Sequence, residues 1–436
     1  MKKQFKFSVA AISVSFLMAN QAGAANTWTE ARNDAMGGTG VASAHYGSGV
    51  LINPALLAKS KEDDDITVIL PTVGVQISDK DNLQDKIDDI SDEISADQTL
   101  FDNLTFESIL QDPQGTIGQL QLAAGSLADE LEFLDGKTAQ GNAGAGIAVS
   151  IPGSELSLAF VAKANAHARV SSKIDQQDID FLRGVQNNAG LTSQLALSAA
   201  AEGSDVITEN LNSTASGRAA IVSDYGVAIA RQFDMNGVPV SVGVTPKLQK
   251  TWLYNYTTSI YSYDSGDLNS SRYRNDDTSF NVDLGFAADF GENWTVGLSG
   301  QNLISHDIDT NDIRILNGRT GEEVSYQDTY QIRPLVTAGV AWHTELLTLA
   351  ADADLTETKG FKSEENSQYV GVGAEVTPLD WLAVRGGFRG DVKGNDSNVF
   401  TGGLGFAPFN TVHVDLTGIY GEDETWGAGV QLSMTF

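Results

Sequence analysis

The sequence predicts an all-β protein: a transmembrane antiparallel β-barrel of about 14 strands, with a compact N-terminal segment before it and helical inserts in its outer loops. Three observations lead there. From about residue 140 onward, apolar residues alternate with small or polar ones at the period of a strand. The connections between these runs alternate between short turns and long loops. After the N-terminus no apolar run is long enough for a spanning helix, and the mean hydropathy is −0.14.

The N-terminus reads as an export address. Lys2, Lys3 and Lys6 form a positive start, Ser8 to Ala19 is a short apolar stretch, and Ala22-Gly23-Ala24 is a small-residue cleavage site. Residues 1–24 are therefore read as a signal peptide, and the location as the outer membrane of a bacterium. No cysteine follows to carry a lipid anchor.

Residues 25–65 carry Gly37-Gly38-Thr39-Gly40, Gly47-Ser48-Gly49 and Asn53-Pro54-Ala55. Such glycine density with an Asn-Pro turn predicts compact irregular structure. The glycines do not form a phosphate cradle, because the GK[ST] ending and the preceding strand are absent.

Residues 66–436 are the barrel. Strands are expected at 66–77, 140–151, 156–171, 219–233, 238–257, 278–290, 294–304, 329–343, 346–356, 367–377, 381–390, 397–408, 411–420 and 425–436. In the last of them Trp426, Ala428, Val430, Leu432, Met434 and Phe436 share one face, and the chain ends on an aromatic residue as outer-membrane barrels do. Leu156, Leu158 and Phe160 repeat the pattern, as do Phe280, Val282, Leu284, Phe286 and Phe290, and Tyr330, Ile332, Val336, Val340 and Trp342. These faces are expected to meet lipid. Trp252, Tyr254, Tyr256, Tyr261, Tyr263 and Tyr273 are expected in one interfacial girdle, and Trp294, Trp342 and Trp381 in the other.

Two inserts read as helical, about 79–138 and 172–218. Leu83, Ile87, Ile90 and Ile94 recur at helical spacing, as do Leu120, Leu127, Leu131 and Leu134. They are expected to cap the barrel mouth, the alternative being that their apolar faces form a docking surface for a hydrophobic ligand or a partner.

Chain chemistry excludes several classes. Against 27 Lys+Arg stand 57 Asp+Glu, a net charge of −30, so nucleic acid is not expected as a partner. Zero cysteine removes disulfides, thiolate metal sites and thiol catalysis. The five histidines, His45, His167, His306, His343 and His413, have no metal-ligand spacing. Glu62-Asp63-Asp64-Asp65 and Asp88-Asp89 lack EF-hand spacing. No catalytic set, metal site or cofactor is expected. The inward face carries Lys163, His167, Arg169, Lys247, Arg333, Arg385 and Arg389, with Asp283, Asp289, Asp352, Asp354, Glu375 and Asp415 as acidic counterparts. Such mixed signs either pair with one another or a plug, or form a polar track or a positive spot that receives a carboxylate head group.

The run Met36-Gly37-Gly38-Thr39-Gly40, followed by Asn53-Pro54-Ala55-Leu56-Leu57-Ala58, resembles the N-terminal region of the FadL-like (TodX-type) outer-membrane transporters. With Leu70-Pro71-Thr72-Val73-Gly74-Val75-Gln76, it is more closely similar to the barrel family called conjugal transfer protein TraF. A thioredoxin-fold protein shares that name, and this cysteine-free, alternating chain does not resemble it. The resemblance implies a hatch at residues 25–65 with Asn53, Pro54 and Ala55 as its gate turn, flanked by Gly37, Gly38 and Gly40. It implies passive passage of hydrophobic molecules with lateral exit at a strand kink, for which Pro71 and Pro246 are the candidates. The implied partners are outer-membrane lipid, a small hydrophobic ligand and a conjugation-machinery protein, for a monomeric barrel. The alternative is a sealed outer-membrane scaffold for a conjugation or secretion assembly.

Overall fold

A computed structural model describes residues 30–60, 66–79, 83, 105–202, 211–260, 270–408, 411–422 and 424–436. The signal peptide, Ile87 to Ile94, Tyr261, Tyr263 and the acidic run at 62–65 lie outside the described residues.

Period-two alternation closes into a barrel because a sheet with one apolar and one polar face leaves no edge only when it meets itself. The wall comprises β1 (Thr67–Ser78), β2 (Thr138–Ile151), β3 (Ser157–Lys173), β4 (Thr214–Met235), β5 (Val238–Ser259), β6 (Arg274–Phe290) and β7 (Trp294–Gln301). Four short strands intervene: β8 (His306–Asp309), β9 (Ile313–Leu316), β10 (Glu323–Tyr326) and β11 (Thr329–Ile332). The wall resumes with β12 (Leu335–His343), β13 (Leu347–Asp354), β14 (Tyr369–Leu379), β15 (Leu382–Asp391), β16 (Val399–Phe406), β17 (Val412–Gly421) and β18 (Trp426–Thr435). Each wall strand is antiparallel to its neighbours, and β1 closes the barrel by pairing with both β2 and β18. The fourteen wall strands coincide in number and order with those expected.

The two faces sort as the alternation predicts. Phe160, Phe280, Phe400, Tyr420 and Trp426 stand exposed on the outer wall. Ser241, Thr245, Lys247, Gln249, Thr295 and Gln431 are buried within. No described helix is long and apolar enough to cross a membrane; the strands provide the span.

Several expectations need correction. Residues 329–343 are not one wall strand: the segment breaks at Arg333-Pro334, where proline cannot donate to a ladder. Tyr330 and Ile332 consequently face inward and are buried, with Ala220, Val222, Leu253, Ile308 and Phe361. The segment 305–328 is not open loop, since β8 pairs with β11 and β9 with β10 over the mouth. Tyr256 and Tyr273 are buried with Val170 and Ile313 rather than forming a girdle. Strands β4, β5 and β6 run longer than expected, which shrinks the second insert to the residues between Lys173 and Thr214. The β4–β5 ladder skips Thr245 and Pro246 and resumes in the same register, while Pro246 stays paired with Val282 on β6, so it opens a gap without a register shift. Pro71 does interrupt its strand: the register shifts past it against both neighbours.

The inserts form a helical lobe: α3 (Phe106–Gln111), α4 (Pro113–Leu134), α5 (Gln176–Asn187) and α6 (Ala189–Glu202), numbered after two plug helices described below. Leu131, Ile179, Leu182 and Val185 form its apolar seam. Asp178 ties it to the barrel: its carboxylate accepts Ser213 Oγ at 2.6 Å, Ser213 N at 2.7 Å and Asn212 N at 2.8 Å. Arg319, from the β9–β10 turn, donates to the same carboxylate at 2.5 Å.

Candidate functional site

Residues 30–60 fill the half of the lumen next to the short turns. They contain α1 (Ala31–Asp34), α2 (Tyr46–Gly49) and a 3₁₀ turn at Pro54–Lys59. Helices this short do not persist alone, so the wall must hold them. Asn53 caps the 3₁₀ turn by accepting Ala55 N at 3.1 Å, and Pro54 occupies the first position, where its missing N–H costs nothing. The Asn53 amide also donates to Val41 O at 2.7 Å and to Phe286 O of β6 at 3.1 Å. One side chain therefore shapes the turn, ties it to the rest of the plug and fixes it to the wall. Asn53→Ala removes all three bonds; at roughly 0.5–1.5 kcal/mol each, it is expected to loosen the plug by about 2–4 kcal/mol. Hydrogen exchange should show faster exchange over residues 41–56 with the wall unchanged. Equal protection in variant and native protein would refute this role.

Glycines seat the plug. Gly37 and Gly38 have φ of 71° and 77°, which only glycine adopts without strain. A Cβ on Gly37 would overlap the Phe388 and Val372 carbonyl oxygens, so plug backbone lies directly on wall backbone. The wall reciprocates: a Cβ on Gly243 would meet Pro54, on Gly285 would meet Asn53 and Ala55, and on Gly373 would meet Met36. These inward glycines were not singled out from sequence. Their signal was their parity, as they occupy the positions between lipid-facing residues.

Polar latches surround the seat. Asp352 Oδ2 accepts Gly40 N at 2.7 Å and Val41 N at 2.9 Å. Thr401 Oγ1 accepts Gly37 N at 2.9 Å and donates to Ala35 O at 3.0 Å. Ser299 Oγ and Gln301 Nε2 donate to Ile52 O at 2.6 and 2.8 Å. Arg32 makes a two-point contact with Glu375, at 2.9 and 2.7 Å, and Lys59 pairs with Asp289 at 2.7 Å.

The basic residues expected in the lumen separate into groups. Lys163 donates to Leu51 O at 3.2 Å and to Gln301 Oε1 at 2.9 Å. Lys247 lies between Asp224 and Asp283 at 2.7 and 2.9 Å. Arg385 joins Glu375 at 2.6 Å to Asp415 at 2.5 Å. His167, Arg169 and Arg389 line a polar cavity of about 60 Å³ nearer the loops. Arg333 lies in the cap, donating to His306 O and pairing with Asp307. They do not converge into one positive spot. Pro71 lies at the β1 bulge, on the outer wall.

The loop after β13 closes the far end. His167 Nε2 lies 2.8 Å from Glu364 Oε2. Burial raises the Glu364 pKa, but the His167 ring and the charges of Arg169 and Arg218 outweigh it and hold the carboxyl below its ordinary value. A carboxyl depressed in the folded state stabilises it above the unfolded value of about 4.3, and that contribution is lost as pH falls through the folded value. Exchange protection over residues 357–367 should accordingly hold from neutral to mildly acidic pH and fall in stronger acid. In Glu364→Gln the acid-dependent step should disappear; its persistence would assign it elsewhere.

Among the described residues, two cavities of about 60 Å³ lie in the polar lumen. Each is well below the roughly 150 Å³ of an apolar cavity that takes up benzene.

The family model described as "F plasmid transfer operon, TraF, protein" matches residues 50–354. No curated protein sequence matches the chain. Among solved structures, the Ralstonia pickettii toluene transporter TbuX is similar with a TM-score of 0.52 and 11% identity, covering 94% of this chain and 98% of that one. The TodX deltaS2S3 mutant monoaromatic hydrocarbon channel gives 0.51 and 10%, covering 94% and 99%. The CymD monoaromatic hydrocarbon channel gives 0.51 and 9%, covering 94% and 98%. At these identities the likeness is one of fold.

Proposed function

The chain belongs to the family described as F plasmid transfer operon, TraF, protein, and on that premise we propose that it is a plug-gated outer-membrane channel for small hydrophobic molecules. The observation that carries this reading is the plug, held in a closed barrel wall by replaceable contacts: hydrogen bonds and ion pairs over a glycine seat. Passage is passive, and requires residues 30–60 to leave the seat while the wall stays intact. The gate turn is Asn53-Pro54-Ala55, with Gly37, Gly38 and Gly40 as the second point of contact. The likeness of fold to transporters and channels of aromatic hydrocarbons supports an apolar cargo. The lipid-facing band supports the outer-membrane location.

A second reading, a sealed scaffold for a conjugation assembly, is favoured by one observation. The lumen is ion-paired, with Lys247 between two buried carboxylates and Arg385 between two more.

The test uses protein folded and purified from outer membranes in mild detergent. Co-purifying apolar compounds are identified by mass spectrometry, and uptake of apolar probes is followed in liposomes, with an Asn53→Ala/Pro54→Ala variant alongside. A stoichiometric apolar ligand, and faster uptake in the variant, are expected. A ligand-free barrel with no uptake in either form would overturn the channel and leave the scaffold.

A further inference from the structure

We propose that a phosphate-bearing lipid of the outer leaflet binds on the outside of the wall, one acyl chain in an apolar groove across β1–β4 and its head group at Lys250 and Arg274. The groove holds about 470 Å³, about three times the roughly 150 Å³ of an apolar cavity that takes up benzene. Leu70, Ile147, Phe160, Tyr225 and Val227 line it. Ala162 creates it: its cross-strand partners are Ile147 on β2 and Tyr225 on β4, so one methyl group stands between two large side chains. Ile147, Phe160, Tyr225 and Val227 are exposed on the outer face, so the groove opens to the bilayer and not to the lumen.

The groove ends where basic residues begin. Tyr225 pairs with Leu248 of β5, and the next outward residues on β5 are Lys250 and Trp252. On β6, Arg274 stands opposite Tyr254 and Asp276 opposite Trp252. The outward apolar run stops at the partners Leu248 and Phe280. Lys250, Trp252 and Arg274 therefore stand at head-group depth, where aromatic rings and basic side chains are favoured. Lys250 lies over the Trp252 ring, and Arg272 lies 4.5 Å over the Tyr273 ring. Acidic neighbours leave this charge in surplus. Asp277 lies on the other face of β6, 2.9 Å from His306 Nε2. Asp276 pairs with Lys250, but the pair is solvent-exposed and such pairs contribute little. The placement is local: above Tyr420 and Trp426, on β17 and β18, stand Glu422 and Glu424 instead. In a chain of net charge −30, three bases gathered beside a groove of acyl-chain size fit an anionic lipid.

The test uses the purified full barrel in mild detergent, with native mass spectrometry of its complexes with lipid A and with the same lipid stripped of its phosphates. Lipid A should bind with the higher affinity. Lys250→Gln/Arg274→Gln should weaken lipid A roughly 25-fold, about fivefold for each basic residue at a charged lipid surface, and leave the dephosphorylated lipid unchanged. Ala162→Phe fills the groove and should weaken both lipids. Asp276→Asn releases Lys250 and should tighten lipid A, a gain that no folding defect can imitate. Lys393→Gln, in an exposed loop pair, should change nothing. Equal binding of the two lipids would overturn the proposal, because the acyl chains alone would then be held. So would lipid A binding that ignores the Lys250/Arg274 or the Ala162 substitution. The proposal rests on the outer-membrane location alone, and no readout involves transport, so its outcome stands apart from whether the barrel conducts.

Discussion

Arg385→Ala is expected to destabilise the barrel by about 3–5 kcal/mol, the usual cost of stranding a buried charge. Arg385 bridges two strands, donating from Nε to Glu375 on β14 and from Nη1 to Asp415 on β17. A Cβ on Gly405 would collide with both its guanidinium and the Asp415 carboxylate, so the glycine makes room for the pair. Without Arg385, Glu375 keeps Arg32 of the plug, while Asp415 loses the cation that holds it. Arg32→Ala should cost less, about 1.5–3 kcal/mol, because Arg385 still satisfies Glu375 and only the plug is released. Arg385→Lys keeps the charge but loses the planar fork that spans both carboxylates, and should rescue only part of the loss. Unfolding of the purified barrel in denaturant gives all three values. An Arg385→Ala barrel within 1 kcal/mol of the native one would show that the lumenal charges are solvated rather than structural.

How far the sequence could be read depended on whether a residue's partner is generic or particular. Lipid and water are generic partners, so Phe160 and Lys163, three positions apart on β3, could be assigned outward and inward from parity alone. Tyr330 and Ile332 defeated the same rule. A cap strand buries one face against the lumen as a wall strand exposes one to lipid, and period two cannot tell them apart; only Pro334 marked the break. Tyr256 and Tyr273 looked like a girdle for the same reason, since aromatic rings serve an interface and a buried T-shaped pair equally well. Within the plug, the Asn53-Pro54-Ala55 turn was legible because its residues satisfy their own backbone. The role of Asp352 was not, because its partners are backbone amides that any sequence supplies.

Gly373→Leu is expected to drive the plug from its seat while leaving the wall folded. Gly373 and Gly387 are cross-strand partners on β14 and β15, and both face Met36 and Gly37 of the plug. Leucine suits a strand and removes no ladder hydrogen bond, so the wall has no reason to rearrange. The plug has nowhere to yield: a Cβ there overlaps the Met36 carbonyl oxygen, and the Gly37 amide is fixed by Thr401. Overpacking of this kind costs about 1–3 kcal/mol, and moving a short plug segment is the cheapest relief. Cleavage by protease within residues 30–60 should accelerate, and entry of small solutes into liposomes should rise above the native level. Gly418→Leu is the matched control, because that glycine stands on the outer face with open space around it. It should change neither readout. A Gly373→Leu barrel as protected and as tight as the native one would mean that the plug tolerates a side chain at its seat, and that the glycine contact does not hold it there.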